Sequence, residues 1–149
     1  MVNDNAGRRS VNQTVALVFG AVYTLVGIAG FFVTKLDHFA TYNTDKLLGF
    51  QINPLHNIVH ILIGLFLLGA FRGHRSARAA NLTVGAAYAV VFLLGLILAP
   101  KHTSANFLAL NQADNGLHIA TAVILLLVAF VADKTYRTVT ASRAGATRL

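Results

Sequence analysis

The sequence predicts an all-α fold, an integral membrane four-helix bundle, from three observations. Four apolar runs each have about the ~20 residues that cross ~30 Å of hydrocarbon as helix. Charge is scarce, at 11% of 149 residues, against about a quarter in soluble domains. A polar motif, "NPLHNIVHI" at 53–61, returns as "NQADNGLHI" at 111–119.

The first run covers residues 15–34. It follows "GRRSVNQ", which resembles the start of a signal peptide, but its apolar core exceeds the ~7 to 15 residues of such a segment and shows no small-residue cleavage site, so an uncleaved span is expected. The second covers 54–71 and is the shortest. Asn53 before Pro54 is a strong helix start, because Asn caps free amide hydrogens and Pro fits the first helical position. The third covers 79–99. The fourth covers 113–132, where Asn111 and Asp114 have the spacing of a capping box. None of the runs alternates as a barrel strand does, and lipid demands internally satisfied backbone, so all four read as helices in one domain, residues 1–134. Residues 135–149 read as a polar, basic cytoplasmic tail.

Charge sets the orientation. Arg8 and Arg9, then Arg72, Arg75 and Arg78, then Lys134, Arg137, Arg143 and Arg148 fall on one side, against Lys35, Lys46 and Lys101 on the other. By the positive-inside rule both termini are cytoplasmic, in a multi-pass plasma-membrane protein. The formal charge of +7 therefore points to anionic lipid headgroups. Basic clusters without interleaved aromatic residues give no reason to expect nucleic acid. With no cysteine, disulfides, thiolate metal sites and cysteine nucleophiles are excluded.

The repeat extends beyond the motif, since "NQTVALVFGAVY" at 12–23 echoes "NLTVGAAY" at 81–88. Two repeated helical hairpins of the same orientation would be parallel repeats, related by a pseudo-two-fold axis along the membrane normal. Asn53, His56, Asn57 and His60 then match Asn111, Asp114, Asn115 and His118 at equal depth, near the outer leaflet. Capping accounts for the first members of each set. It does not reach His60, about 9 Å further along the axis, or His118. Positions 53, 56, 57 and 60 share one helical face, and polar groups in lipid turn inward.

Three readings of this polar stripe follow. The first is a structural network of Asn53, Asn57, Asn111, Asn115, Tyr23 and Tyr88 with the histidines, worth about 1 kcal/mol per bond. The second is a metal site of His56, His60, Asp114 and His118, whose imidazoles and carboxylate suit zinc, copper, nickel or iron. The third is a haem b between His60 and His118 on diagonal helices, roughly 11–14 Å apart if neighbours pack at 8–10 Å. Gly64 and Ala122, one turn beyond the histidines, mark either room for a lipid or quinone or a close helix contact. Small-xxx-small pairs at Ala16/Gly20, Gly85/Ala89 and Gly95/Ala99 permit close packing within the chain, in a homo-oligomer or in a larger membrane complex. No Ser–His–Asp set, phosphate loop or close carboxylate pair is present. The overall expectation is a non-enzymatic accessory or interaction subunit, with a metal- or haem-binding redox protein and a lipid- or quinone-binding protein as the alternatives.

At "NPLHNIVHILIGL" and "ADNGLHI" the chain resembles domain of unknown function 4383, a family of small four-helix membrane proteins common in actinobacteria. The resemblance spans about residues 12–134. It implies an integral membrane fold and brings no established activity, cofactor or site residues.

Overall fold

The computed structural model describes residues 9–132; the 135–149 tail and its basic residues lie outside them. Four helices form an all-α bundle: α1 (Val11–Thr34), α2 (Pro54–Ala70), α3 (His74–Leu98) and α4 (Gln112–Val131). α1 packs most extensively on α2 and α3 on α4, and α1–α3 and α2–α3 contacts join the two hairpins. The α1–α2 and α3–α4 connections lie together at one end, here called the loop end.

Two helices, α1 and α3, begin a full turn or more before their apolar runs. α1 starts at Val11 because Ser10 and Gln13 form a reciprocal capping box. α3 starts at His74, so Arg75 and Arg78 belong to its first turns and the α2–α3 connection is only Phe71–Gly73. By length and composition α1, α3 and α4 can each cross a membrane, whereas α2 has 17 residues, about 26 Å of helix.

Burial is inverted relative to a water-soluble bundle. Large apolar side chains such as Leu25, Phe32, Leu93 and Leu127 are more than half exposed, while His56, Asn57, His60, Asp114, Asn115 and His118 are buried. The apolar core is small-residue rich, with Ala16, Ala77, Ala80 and Ala122 around Tyr23, Leu67, Tyr88 and Leu125. A bundle whose outside is apolar and whose inside is polar and closely packed is suited to lipid as solvent. This is a membrane protein.

The small residues act within the chain. A side chain at Gly64 would run into the Thr24 backbone and the Gly20 carbonyl of α1, so Gly64 marks a close helix contact and not a ligand space. Ala122 likewise packs in the core. Gly30 leaves room for the Asn57 amide and Gly95 for the Asn115 amide.

The α1–α2 connection contains a feature absent from the all-helical reading, a two-stranded antiparallel hairpin pairing Lys46–Leu47 (β1) with Phe50–Gln51 (β2). Leu48 and Gly49 turn it with φ of 54° and 93°, the left-handed pair that matches strand twist in a two-residue turn. Runs this short carry too little alternation to be seen as strands in a sequence.

Candidate functional site

The motif at each loop-end helix start divides into a cap and a deeper part. Asn53 Oδ1 accepts from His56 N at 2.9 Å, behind Pro54 in the first turn. Asn111 Oδ1 accepts from Asp114 N at 2.9 Å, and Asp114 Oδ2 accepts from Asn111 N at 2.8 Å. Both caps have a second role that local spacing does not reveal. Asn53 Nδ2 donates to the Phe107 carbonyl at 2.8 Å and to Thr41 at 3.0 Å, and Asn111 Nδ2 donates to Gly49 at 3.0 Å. Each helix start thus ties down the connection of the opposite hairpin. Ile52 and Leu110, just before the caps, are buried at 2% and 1% exposure and close the loop end.

Below the caps three imidazoles meet. His56, His60 and His118 each present one ring nitrogen, and these three atoms lie within 4.8 Å of one another. His56 Nδ1 is 3.0 Å from the Leu108 carbonyl. A carbonyl only accepts, so Nδ1 bears the proton and the Nε2 lone pair faces inward. That Nε2 lies 3.2 Å from His60 Nε2, because positions four apart share one helix face. His118 comes from α4, its ring centroid 6.2 Å from that of His56. The Nδ1 atoms of His60 and His118 are buried without a hydrogen-bond partner.

Two tyrosines back the cluster. Tyr23 and Tyr88 stack at 5.3 Å, and each packs against one histidine, Tyr23 on His60 at 5.2 Å and Tyr88 on His118 at 5.3 Å. The hydroxyl partner expected among the histidines is instead Thr121, 2.6 Å from Tyr23 Oη. A buried phenol needs such a partner, and a threonine in an apolar helix gives no sequence signal that it supplies one.

The remaining polar residues do not join the histidines. Asn57 Nδ2 donates to Thr34 Oγ1 on α1 at 3.0 Å, and Asn115 lies over Gly95 of α3 with neither amide atom partnered. The single network expected along the stripe is therefore split, with asparagines facing the partner helix of their own hairpin and histidines facing the bundle axis. Asp114 is held in its cap and is not among the converging ligand atoms. At the opposite end a further asparagine pair, not singled out in the sequence, links α1 to α3: Asn81 Nδ2 donates to Asn12 O and Oδ1, both at 3.0 Å. The alignment of "NQTV" with "NLTV" held that signal.

The space beside the three histidines, bounded also by Tyr88, Leu108 and Leu110, is about 40 Å³. That suits an ion or a water or two. A haem between His60 and His118 would need a pocket in the range of about 300–1,000 Å³ usual for cofactors, and the stacked tyrosines occupy the adjoining core. A second cavity of about 370 Å³ lies between α1 and α4 under the β1–β2 hairpin, with His60 and Asp114 on its wall. Of the outlying histidines, His38 is exposed, His102 stacks on Tyr42 at 4.7 Å, and His74 Nδ1 meets Ser10 Oγ at 3.0 Å, tying α3 to the cap of α1.

A family model described as "Domain of unknown function (DUF4383)" matches residues 13–131, and the chain belongs to that family. No curated protein and no solved structure matches the chain.

Proposed function

We propose that this DUF4383 member is a four-span plasma-membrane protein that holds one divalent transition-metal ion on His56, His60 and His118. The observation that carries the reading is the convergence of three imidazole nitrogens. Two nitrogens each about 2.0–2.1 Å from a tetrahedral zinc stand roughly 3.3 Å apart, and the His56 and His60 Nε2 atoms are 3.2 Å apart. His118, with no hydrogen bond on Nδ1 to hold its ring, closes the set by a small rotation. The Leu108 carbonyl supplies the outer-shell contact that fixes a metal-binding histidine in its ligating tautomer. Neutral imidazoles without thiolates suit zinc, copper or nickel. The simpler reading, histidines that only join helices, does not by itself account for a third imidazole nitrogen within 4.8 Å of a pair that is already in contact.

The role that fits is an accessory one, a membrane subunit that keeps an ion near the outer leaflet, since the nearest carboxylate is engaged in a helix cap. α2, at about 26 Å, spans with its ends drawn into the bundle. The terminal end, with Arg72, Arg75 and Arg78, faces the cytoplasm and anionic lipid. The two hairpins descend from one unit, which is why caps, histidines, tyrosines and glycine–asparagine contacts come in matched pairs.

Metal analysis of the full chain purified in detergent without chelators tests the reading, together with cobalt substitution read by visible absorption. About one metal per chain, lost in His60→Phe and in His118→Phe, is expected. Absence of stoichiometric metal together with failure to take up cobalt would sink it, and a Soret band would put haem in its place.

A further inference from the structure

We propose that the cavity between α1 and α4 is a binding site for a membrane-soluble quinone, held by its ring against His60. Apart from His60 and Asp114, the latter already engaged in its helix cap, the wall is apolar, with aromatic surface from Phe19, Tyr23 and Phe50, and no Lys or Arg among the described residues lines it. A phosphate headgroup would leave its charge unpaired there, so the occupant is a neutral head on an apolar tail. Val18 and Val22, about half exposed, line the cavity on the outer face of α1, so its mouth opens where lipid lies and a tail can extend into the bilayer. The volume of about 370 Å³ accommodates one substituted ring and the first few chain carbons, within the range of small-molecule pockets. It is too small for a two-chain lipid.

His60 supplies the second, independent observation. It is 5% exposed, lies on the cavity wall, and its Nδ1 has no hydrogen-bond partner. The tautomers follow from the neighbouring contacts. With His56 Nδ1 donating to Leu108, His56 Nε2 can only accept, so His60 Nε2 carries the proton and His60 Nδ1 is an acceptor, suited to a quinol hydroxyl. A metal on His60 Nε2 displaces that proton and turns Nδ1 into a donor, suited to a quinone carbonyl. One wall residue therefore serves either form of the head, and the site does not depend on the metal being present.

The test uses the full chain in detergent, metal-loaded and after chelation, with decyl-benzoquinone and its quinol as probes and tyrosine fluorescence quenching as readout. Saturable binding is expected, weakened at least about tenfold by Val22→Trp, which obstructs the mouth from a half-exposed position, and about tenfold by His60→Leu. The quinone should gain on the quinol when metal is added. Unchanged affinity in Val22→Trp, or equal competition by decylbenzene, whose head cannot hydrogen-bond, would overturn the proposal, the latter in favour of an acyl-chain slot. Binding that persists in chelated protein leaves this site standing even if metal analysis fails.

Discussion

The α1–α2 and α3–α4 hairpins are built on the same plan, and they differ at a few positions that matter. In both, a glycine in the first helix receives an asparagine amide from the second, Gly30 with Asn57 and Gly95 with Asn115. In both, a tyrosine in the first helix packs on a histidine in the second. The cap-to-loop bonds are exchanged between the halves, Asn53 to Phe107 and Asn111 to Gly49. The motif position three after the cap, however, is His56 in one hairpin and Asp114 in the other. The aspartate completes a capping box, whereas the histidine reaches inward and makes a three-membered cluster out of what would otherwise be a His60/His118 pair. The matched contacts supply the frame, and one departure from them supplies the third imidazole.

The largest expected effect comes from erasing that departure. His56→Asp makes the two motifs alike, shortens the side chain and removes the Leu108 contact; metal affinity should fall by more than about 100-fold, given that outer-shell changes alone cost about 10–100-fold. Calorimetric titration of the apo protein with zinc checks this, and affinity within a factor of three of the parent would remove His56 from the ligand set.

A smaller effect concerns the position one turn deeper, Gly64 in one hairpin and Ala122 in the other. Gly64→Ala drives a methyl into the α1 backbone and should cost about 1–3 kcal/mol, the usual range for overpacking. Unfolding in mixed micelles measures the cost, and full stability in this variant would mean that the α1–α2 contact is looser than described. Ala122→Gly opens no such clash and should lose only about 1 kcal/mol of helix propensity.

The smallest effect sharpens the comparison by repairing an asymmetry. Thr34, four residues after Gly30, bonds Asn57 at 3.0 Å; four residues after Gly95 stands Ala99, and Asn115 lacks a partner. Thr34→Ala should destabilise, and Ala99→Thr should stabilise, each by roughly 0.6–1 kcal/mol, as for hydrogen bonds inside membrane bundles. Opposite signs in thermal unfolding are the expected result; destabilisation by both would mean that Asn115 is satisfied in another way.

Local patterns were readable where the physics is local. Asn53–Pro54 and Asn111–Asp114 mark helix starts because a cap is completed within three residues. The same rule applied to Ser10 and Gln13 would have placed the start of α1 at Val11. The apolar runs reveal the helices because lipid forces backbone bonds to close within each segment. The partners of the polar stripe were not readable in this way, since Thr121, Leu108 and Thr34 come from other elements and have no distinctive spacing.

By itself, the sequence determined the four helices and the caps of α2 and α4, consequences of apolar patterning and of short-range hydrogen bonding. Only the tertiary structure decided that Asn57 and Asn115 turn to their own partner helices, that Gly64 is a contact and not a cavity, and that His56 joins the histidines while Asp114 does not. Those outcomes depend on which helix faces meet and how closely. Close approach is set by packing across the whole bundle, and no local pattern encodes it.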